Sequence, residues 1–192
     1  NIQPASLDLT VGDKIYRLPS IFLPLKGEKV EDVAKNIGVT PYTFDYPLEV
    51  NTPYLVKLKE ELVLPSDVYG YANPKSSSGR NDLRVTMVAD HMHRFDSVSY
   101  KGYKGTLWAV VEPKSYRIKI QPGDTLLQIR FFYSDTRLKN NDLKDFFEEH
   151  NPFHEKSGAI GFDSLVNDFD GGDLMTVELH EDLAGWKCKK TA

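Results

Sequence analysis

The segment Pro74-Lys75-Ser76-Ser77-Ser78-Gly79-Arg80 gathers three hydroxyls, a glycine and two cations directly after an alternating apolar run. Such a loop can offer hydroxyls, backbone N–H groups and positive charge to a phosphate chain. The following Asn81-Asp82-Leu83 could open a helical turn whose N-terminus adds partial positive charge. A solvated Ser-Gly turn accounts for the same residues. It is not a Walker loop, because the G-x-x-x-x-G-K-[ST] spacing is absent. Downstream lies His91-Met92-His93-Arg94-Phe95-Asp96. Two histidines at i and i+2 could share a strand face and bind a metal, but no third ligand has suitable spacing, so a structural pair is the plainer reading. Asp96, ahead of the turn Tyr100-Lys101-Gly102-Tyr103-Lys104-Gly105, could orient a sugar hydroxyl or a water. Glu112 could act as general acid and base if buried beside the serine loop, although an exposed edge residue next to Pro113 explains it more simply. Gln128 is either a pocket residue or an ordinary polar ladder residue.

The elements that must carry these residues read mostly as strands. Leu7 to Val11, ending in a Gly12-Asp13 turn, alternates at a two-residue period, as do Tyr54 to Leu58, Leu62 to Leu64 and Val68 to Ala72. Leu107 to Val111, Tyr116 to Ile120 and Leu126 to Phe132 continue the pattern, with turn residues at Pro122-Gly123-Asp124. Short strands at regular spacing with Gly and Pro between them predict an all-β sandwich or barrel. Two segments instead have helical spacing: Val30, Val33, Ala34 and Ile37, closed by Gly38, and Leu143, Phe146 and Phe147 within 141–150, stopped by Pro152.

Three units follow: a β domain over 1–133, a polar connector with a short helix over 134–172, and a possible second related domain starting at 173–192. The last rests on a short echo of Ser6 to Val11 in Leu174 to Leu179. Asn1 and the uncapped final residues suggest part of a longer protein. The 192 residues carry 24 Lys plus Arg against 28 Asp plus Glu, a net −4. That balance argues against a nucleic-acid coat or a cationic membrane face, but not against one basic pocket. No apolar run reaches the ~18 residues of a membrane-spanning helix. The single Cys188 excludes a disulfide framework and a multi-cysteine zinc site, and fits a reducing, cytoplasmic compartment.

In order, Q-P-A-S-L-D-L, N-P-K-S-S-S-G-R, H-R-F-D, G-Y-K-G-T-L-W and Q-P-G-D-T-L-L-Q-I-R-F resemble the deoxycytidine triphosphate (dCTP) deaminases of the trimeric dUTPase-like superfamily. The resemblance covers Ile2 to about Phe132 and is nearest the longer, tandem-domain type. It implies a distorted jelly-roll β-barrel (all-β, dUTPase-like), a homotrimer or its tandem equivalent, and a dCTP or dUTP ligand. Magnesium would accompany the triphosphate, and zinc would take no part. By position it implies phosphate and catalytic roles for Lys75, Ser76, Ser77, Ser78, Gly79 and Arg80. Ser76 would help hold the attacking water, and Arg80 would stabilise charge near the reacting centre. Asp96 would lie near the deoxyribose, and Trp108, Ala109 and Val110 beneath the base, with Gln128 reaching the same pocket.

One position departs from the pattern. The family's general acid and base is a glutamate three residues before the proline, and here Pro113 sets that position as Val110. General acid–base catalysis typically supplies ~10²–10⁴-fold. Glu112 shares the strand parity of Val110 but lies roughly 6–7 Å further along, so it reaches the same place only if the strand bulges or shifts. The sequence therefore carries three readings: a dCTP deaminase using Glu112, a catalytically silent nucleotide-binding domain, and a dUTPase in which Asp96 activates water.

Overall fold

The computed structural model describes residues 2–98, 102–133, 140–155 and 158–165. The chain divides into a large unit that ends at Asp135 and a smaller one that follows it. Among the described residues of the large unit, eight strands form one sheet: β1 (Leu7–Arg17), β2 (Thr40–Pro41), β3 (Tyr54–Leu64), β4 (Val68–Pro74), β5 (Leu83–Ala89), β6 (Ser97–Val98), β7 (Tyr103–Pro113) and β8 (Thr125–Tyr133). Their order is β5-β7-β3-β1-β8-β4-β6, with β2 on β1, and every pairing is antiparallel. The sheet curls into a nearly closed barrel, the all-β architecture expected from the alternating pattern.

Asp96 contributes directly to closure. Asp96 sits between β5 and β6 with φ +58°. Its carbonyl accepts the Ala72 N–H of β4 at 2.7 Å, and its own N–H donates to the Met87 carbonyl of β5 at 2.9 Å. Its carboxylate accepts the Met87 N–H at 2.7 Å. Strand β5, at one end of the sheet, is tied in this way to β4, next to last at the other. Unpaired edge groups are thereby satisfied.

Inside the barrel, Leu9, Val11, Leu58, Met87, Leu107, Ala109, Val111, Leu127 and Ile129 form the main core. A second cluster lies on the other face of β3, β5 and β7, where Leu55, Val88, Trp108 and Val110 meet Leu18, Val30 and Ala34. Helix α1 (Val30–Asn36) supplies that cover, as the spacing of its apolar residues requires. Gly38, at φ +75°, ends the helix in a left-handed turn that a side chain would strain. Asp90, just past β5, holds the cover in place. Its Oδ1 accepts the Val30 N–H at 2.9 Å, and Oδ2 accepts the Thr106 N–H and hydroxyl at 2.9 and 2.8 Å.

Four local expectations are corrected. The Gly12-Asp13 turn is instead an irregularity within a continuous β1, whose register against β3 shifts between Val11 and Ile15. A Cβ on Gly12 would stand 2.8 Å from the Lys57 carbonyl oxygen, so this close approach requires glycine. Tyr54–Leu58 and Leu62–Leu64 are one strand rather than two, with the register against β7 shifting between Lys57 and Glu61. Tyr116–Ile120 makes only an isolated bridge, Leu48↔Ile118, and forms no ladder. The helical turn expected to open at Asn81–Leu83 lies earlier, as α2 (Ser76–Arg80), and Leu83 begins β5. Asn81 ends α2 by returning its side-chain amide to the Ser77 carbonyl at 3.0 Å, and Asp82 turns the chain at φ +49°.

The smaller unit contains α3 (Asn140–His150) and a two-strand ladder, β9 (His154–Glu155) with β10 (Gly158–Ala159). Phe147 packs edge-on against Phe153 and Phe162 at centroid distances of 5.3 and 5.5 Å. The expected second domain at 173–192 lies outside the described residues, as does Cys188. No described helix is long and apolar enough to cross a membrane.

Asp90→Ala removes three acceptor contacts and strands the Val30 and Thr106 donors. It is expected to cost roughly 2–4 kcal/mol in urea unfolding, with α1 losing hydrogen-exchange protection before the barrel strands do. Equal loss of protection in α1 and β8 would contradict this account.

Candidate functional site

The serine loop is built as a short helix riding on β8. The Lys75 N–H donates to the Leu126 carbonyl at 2.9 Å, and the Ser78 hydroxyl donates to the same oxygen at 3.0 Å. Lys75 extends its ammonium inward to Asp8 Oδ2 at 2.6 Å and Thr125 Oγ1 at 3.2 Å. Asp8 is buried, and it pairs with Gln128 across the β1–β8 ladder. Gln128 in turn accepts the Ser6 hydroxyl at 3.2 Å. The structure therefore brings Lys75, Ser78 and Gln128 together with Asp8 in an anchoring network beneath α2.

Above those anchors, Ser76, Ser77, Gly79 and Arg80 are exposed. A Cβ on Gly79 would meet nothing within 4 Å, so the fold of this chain sets no steric demand for glycine there. On the far side of α2, the Ser115 hydroxyl donates to the Asp82 carboxylate and the Lys114 N–H to the Asp82 carbonyl at 2.9 Å. The 113–116 turn thus braces the helix's C-terminal end. What remains to face a ligand is two hydroxyls and one guanidinium on a rigid base. That set suits phosphate oxygens.

The strand expected beneath the base is placed differently along its length. Ala109 points into the barrel core, whereas Trp108 and Val110 point to the second cluster under α1. Trp108 is fully buried, its Nε1 donating to Thr106 Oγ1 at 3.1 Å, and Val110 is 4% exposed. The β5–β7 ladder runs from Leu83↔Pro113 to Ala89↔Leu107 without a shift, and β3 pairs Leu55↔Val110 regularly. No bulge carries Glu112 back to the Val110 position. Glu112 is 9% exposed and binds Lys114 Nζ at 2.9 Å, with Arg84 Nη1 at 3.9 Å. Its charge is already matched by two cations.

Asp96 is held with one oxygen on Met87. Burial pushes its carboxyl above the ordinary aspartate range, and the Met87 N–H partly offsets that rise. His91 and His93 occupy the β5–β6 connection rather than a strand. Among the described residues, no three His, Cys, Asp or Glu side chains are grouped to hold a metal ion. The Asp8–Lys75 and Asp90 anchors were not foreseen. Asp8 lies within the Q-P-A-S-L-D-L motif, but alternation alone puts an aspartate on a wet face, and only the approach of Lys75 from 67 residues away dries it.

The large unit is thus a nearly closed β-barrel that presents a short hydroxyl-and-arginine helix. Residues 1–135 match the 2'-deoxycytidine 5'-triphosphate deaminase (DCD) N-terminal domain, and the chain belongs to that family. Among solved structures it is similar to 2'-deoxycytidine 5'-triphosphate deaminase from Agrobacterium tumefaciens. The identity is 33% and the TM-score 0.65, over 82% of this chain and 48% of that one. The chain spans about half the length of that relative. No curated protein matches it.

Lys75→Met leaves Asp8 buried without its partner and is expected to cost about 3 kcal/mol, whereas Asp8→Asn with Lys75→Met should cost clearly less than the sum of the single changes. Additive costs in a double-mutant cycle would show that the pair is not coupled. Because the Asp96 carboxyl is raised on folding, its favourable contribution is complete below the ordinary aspartate pKa and is lost as pH rises through the folded value. The stability of wild type relative to Asp96→Asn should therefore fall as pH rises through that window, and level off above it. A difference that grows with pH in urea titrations would contradict the assignment.

Proposed function

We propose that this domain binds the triphosphate of dCTP on α2 and takes part in its deamination without supplying the general acid and base. The reaction in question adds water at C4 of the cytosine, breaks the C4–N bond, and releases dUTP and ammonia. The observation that carries this reading is the contrast between two positions. Ser76, Ser77 and Arg80 are rigidly based and exposed, while the position three residues before Pro113 is a valine sealed under α1.

The hydroxyls and Arg80 bind phosphoryl oxygens, with Lys75 acting through Asp8 as a positioning residue rather than a direct ligand. Glu112 does not serve as the base in this reading, because regular ladders keep it at its own place between Lys114 and Arg84. The carboxylate that moves protons comes from outside this domain, from another part of the protein or from a second copy. Magnesium arrives with the substrate. Bound to the triphosphate, it would neutralise charge on the phosphate oxygens and keep several of its waters. Hydrolysis of dUTP by Asp96 is the weaker reading, since that carboxylate is engaged by the Met87 N–H and its backbone ties β4 to β5.

Calorimetry with dCTP and magnesium should give saturable binding that weakens at least about tenfold in Arg80→Ala, the loss of one charged hydrogen-bonding group. The same protein incubated with dCTP or dUTP should release neither ammonia nor pyrophosphate above the buffer rate. Turnover of dCTP by the chain alone would overturn the silent assignment, pyrophosphate from dUTP would favour the dUTPase reading, and absence of binding would end the nucleotide reading.

A further inference from the structure

Helix α2 has only five residues, too few to hold its own shape in water, so its tethers decide where its side chains project. Its start is fixed on β8 through Lys75 and Ser78. Its C-terminal end is gripped by the 113–116 turn instead. The Lys114 N–H donates to the Asp82 carbonyl at 2.9 Å, and the Ser115 hydroxyl donates to the Asp82 carboxylate. The Tyr116 hydroxyl donates to Asn81 Oδ1 at 3.3 Å, and the Asn81 side-chain amide donates to the Ser77 carbonyl at 3.0 Å. Both gripped residues, Asn81 and Asp82, follow Arg80 directly.

The barrel has no need of this grip. Strands β5 and β7 are already paired from Leu83↔Pro113 to Ala89↔Leu107. Asn81 and Asp82 are exposed, and hydrogen bonds there add little to global stability because water competes for the same groups. Asp82 also holds φ +49°, a left-handed conformation that costs energy in a residue with a side chain. The turn is itself fixed by Glu112, a buried acid that the proposed reaction leaves unused, whose Oε1 binds Lys114 Nζ at 2.9 Å. An anchored turn, a strained residue and three hydrogen bonds from the turn thus converge on the two positions after Arg80.

We propose that the 113–116 turn is a clamp that presets the backbone from which Arg80 reaches the triphosphate. Asp82 and Tyr116 are its positioning residues, and Glu112 is its anchor. This rests on α2 being the triphosphate site. A guanidinium whose base is fixed before binding loses less freedom when it grips phosphate, so the clamp shows in affinity rather than in fold stability.

Calorimetry with dCTP and magnesium on Ser115→Ala, Tyr116→Phe and the double variant tests the clamp. Each single change should weaken binding about threefold, and the two together about tenfold, at unchanged circular dichroism and urea midpoint. Ser115→Thr, which keeps the hydroxyl, should bind as the wild type does. In an Arg80→Ala background the two changes together should alter affinity less than about twofold, a coupling that a merely structural role would not produce. Without ligand, the Asn81 and Asp82 amides should exchange faster in the double variant while β5 and β7 keep their protection. Full binding by the double variant, an equal loss with and without Arg80, or unchanged amide exchange would overturn the clamp and leave the nucleotide reading standing. No binding by the wild type would end the nucleotide reading, and the clamp's role with it.

Discussion

From Leu107 onward strand β7 is buried on both faces, and the remainder of the large unit is arranged around that constraint. From Leu107 to Pro113 no residue faces solvent. Ala109 and Val111 fill the barrel, while Trp108 and Val110 fill the layer under α1. A strand in that position needs apolar residues in succession, not alternation. It also forbids a free carboxylate at its middle, because an unpaired buried charge is strongly destabilising. The only acid on this stretch, Glu112, sits at the end of the strand, where Lys114 and Arg84 can reach it.

Three aspartates then convert stacked layers into a defined shape. Asp8 draws Lys75 down and so sets α2 on β8. Asp90 attaches α1 to β7. Asp96 joins β4 to β5 and closes the barrel. Each is buried or half-buried and takes up donors that would otherwise be stranded. With these carboxylates engaged by the scaffold, the polar side chains that α2 leaves exposed are Ser76, Ser77 and Arg80.

The strands were largely legible, since a two-residue period survives wherever one face is wet, as in β1, β4 and β8. Reading failed where that condition failed. In Leu83–Ala89 the alternation of Leu83, Val85 and Met87 around Arg84 and Thr86 is short, and it ends at Met87–Ala89, which is buried on both faces. Tyr116–Ile120 had the right period, yet its one partner is Leu48 in a loop, so it makes a bridge and not a strand. The serine loop was visible as a cluster, yet the division of labour inside it was not. Lys75 and Ser78 turn down while Ser76, Ser77 and Arg80 stay up, and that follows from helical geometry and from Leu126 on a distant strand.

Composition, local period and the motif series are properties of neighbouring residues, and from them the sequence alone determined an all-β barrel, its family and the valine at position 110. Tertiary structure decided what each polar residue is for. Whether Lys75 meets a phosphate or Asp8, whether Asp96 activates water or closes a sheet, and whether Glu112 can shift along β7 all depend on partners up to 67 residues away. Such partners set the burial and charge around a side chain, and those in turn set its chemistry.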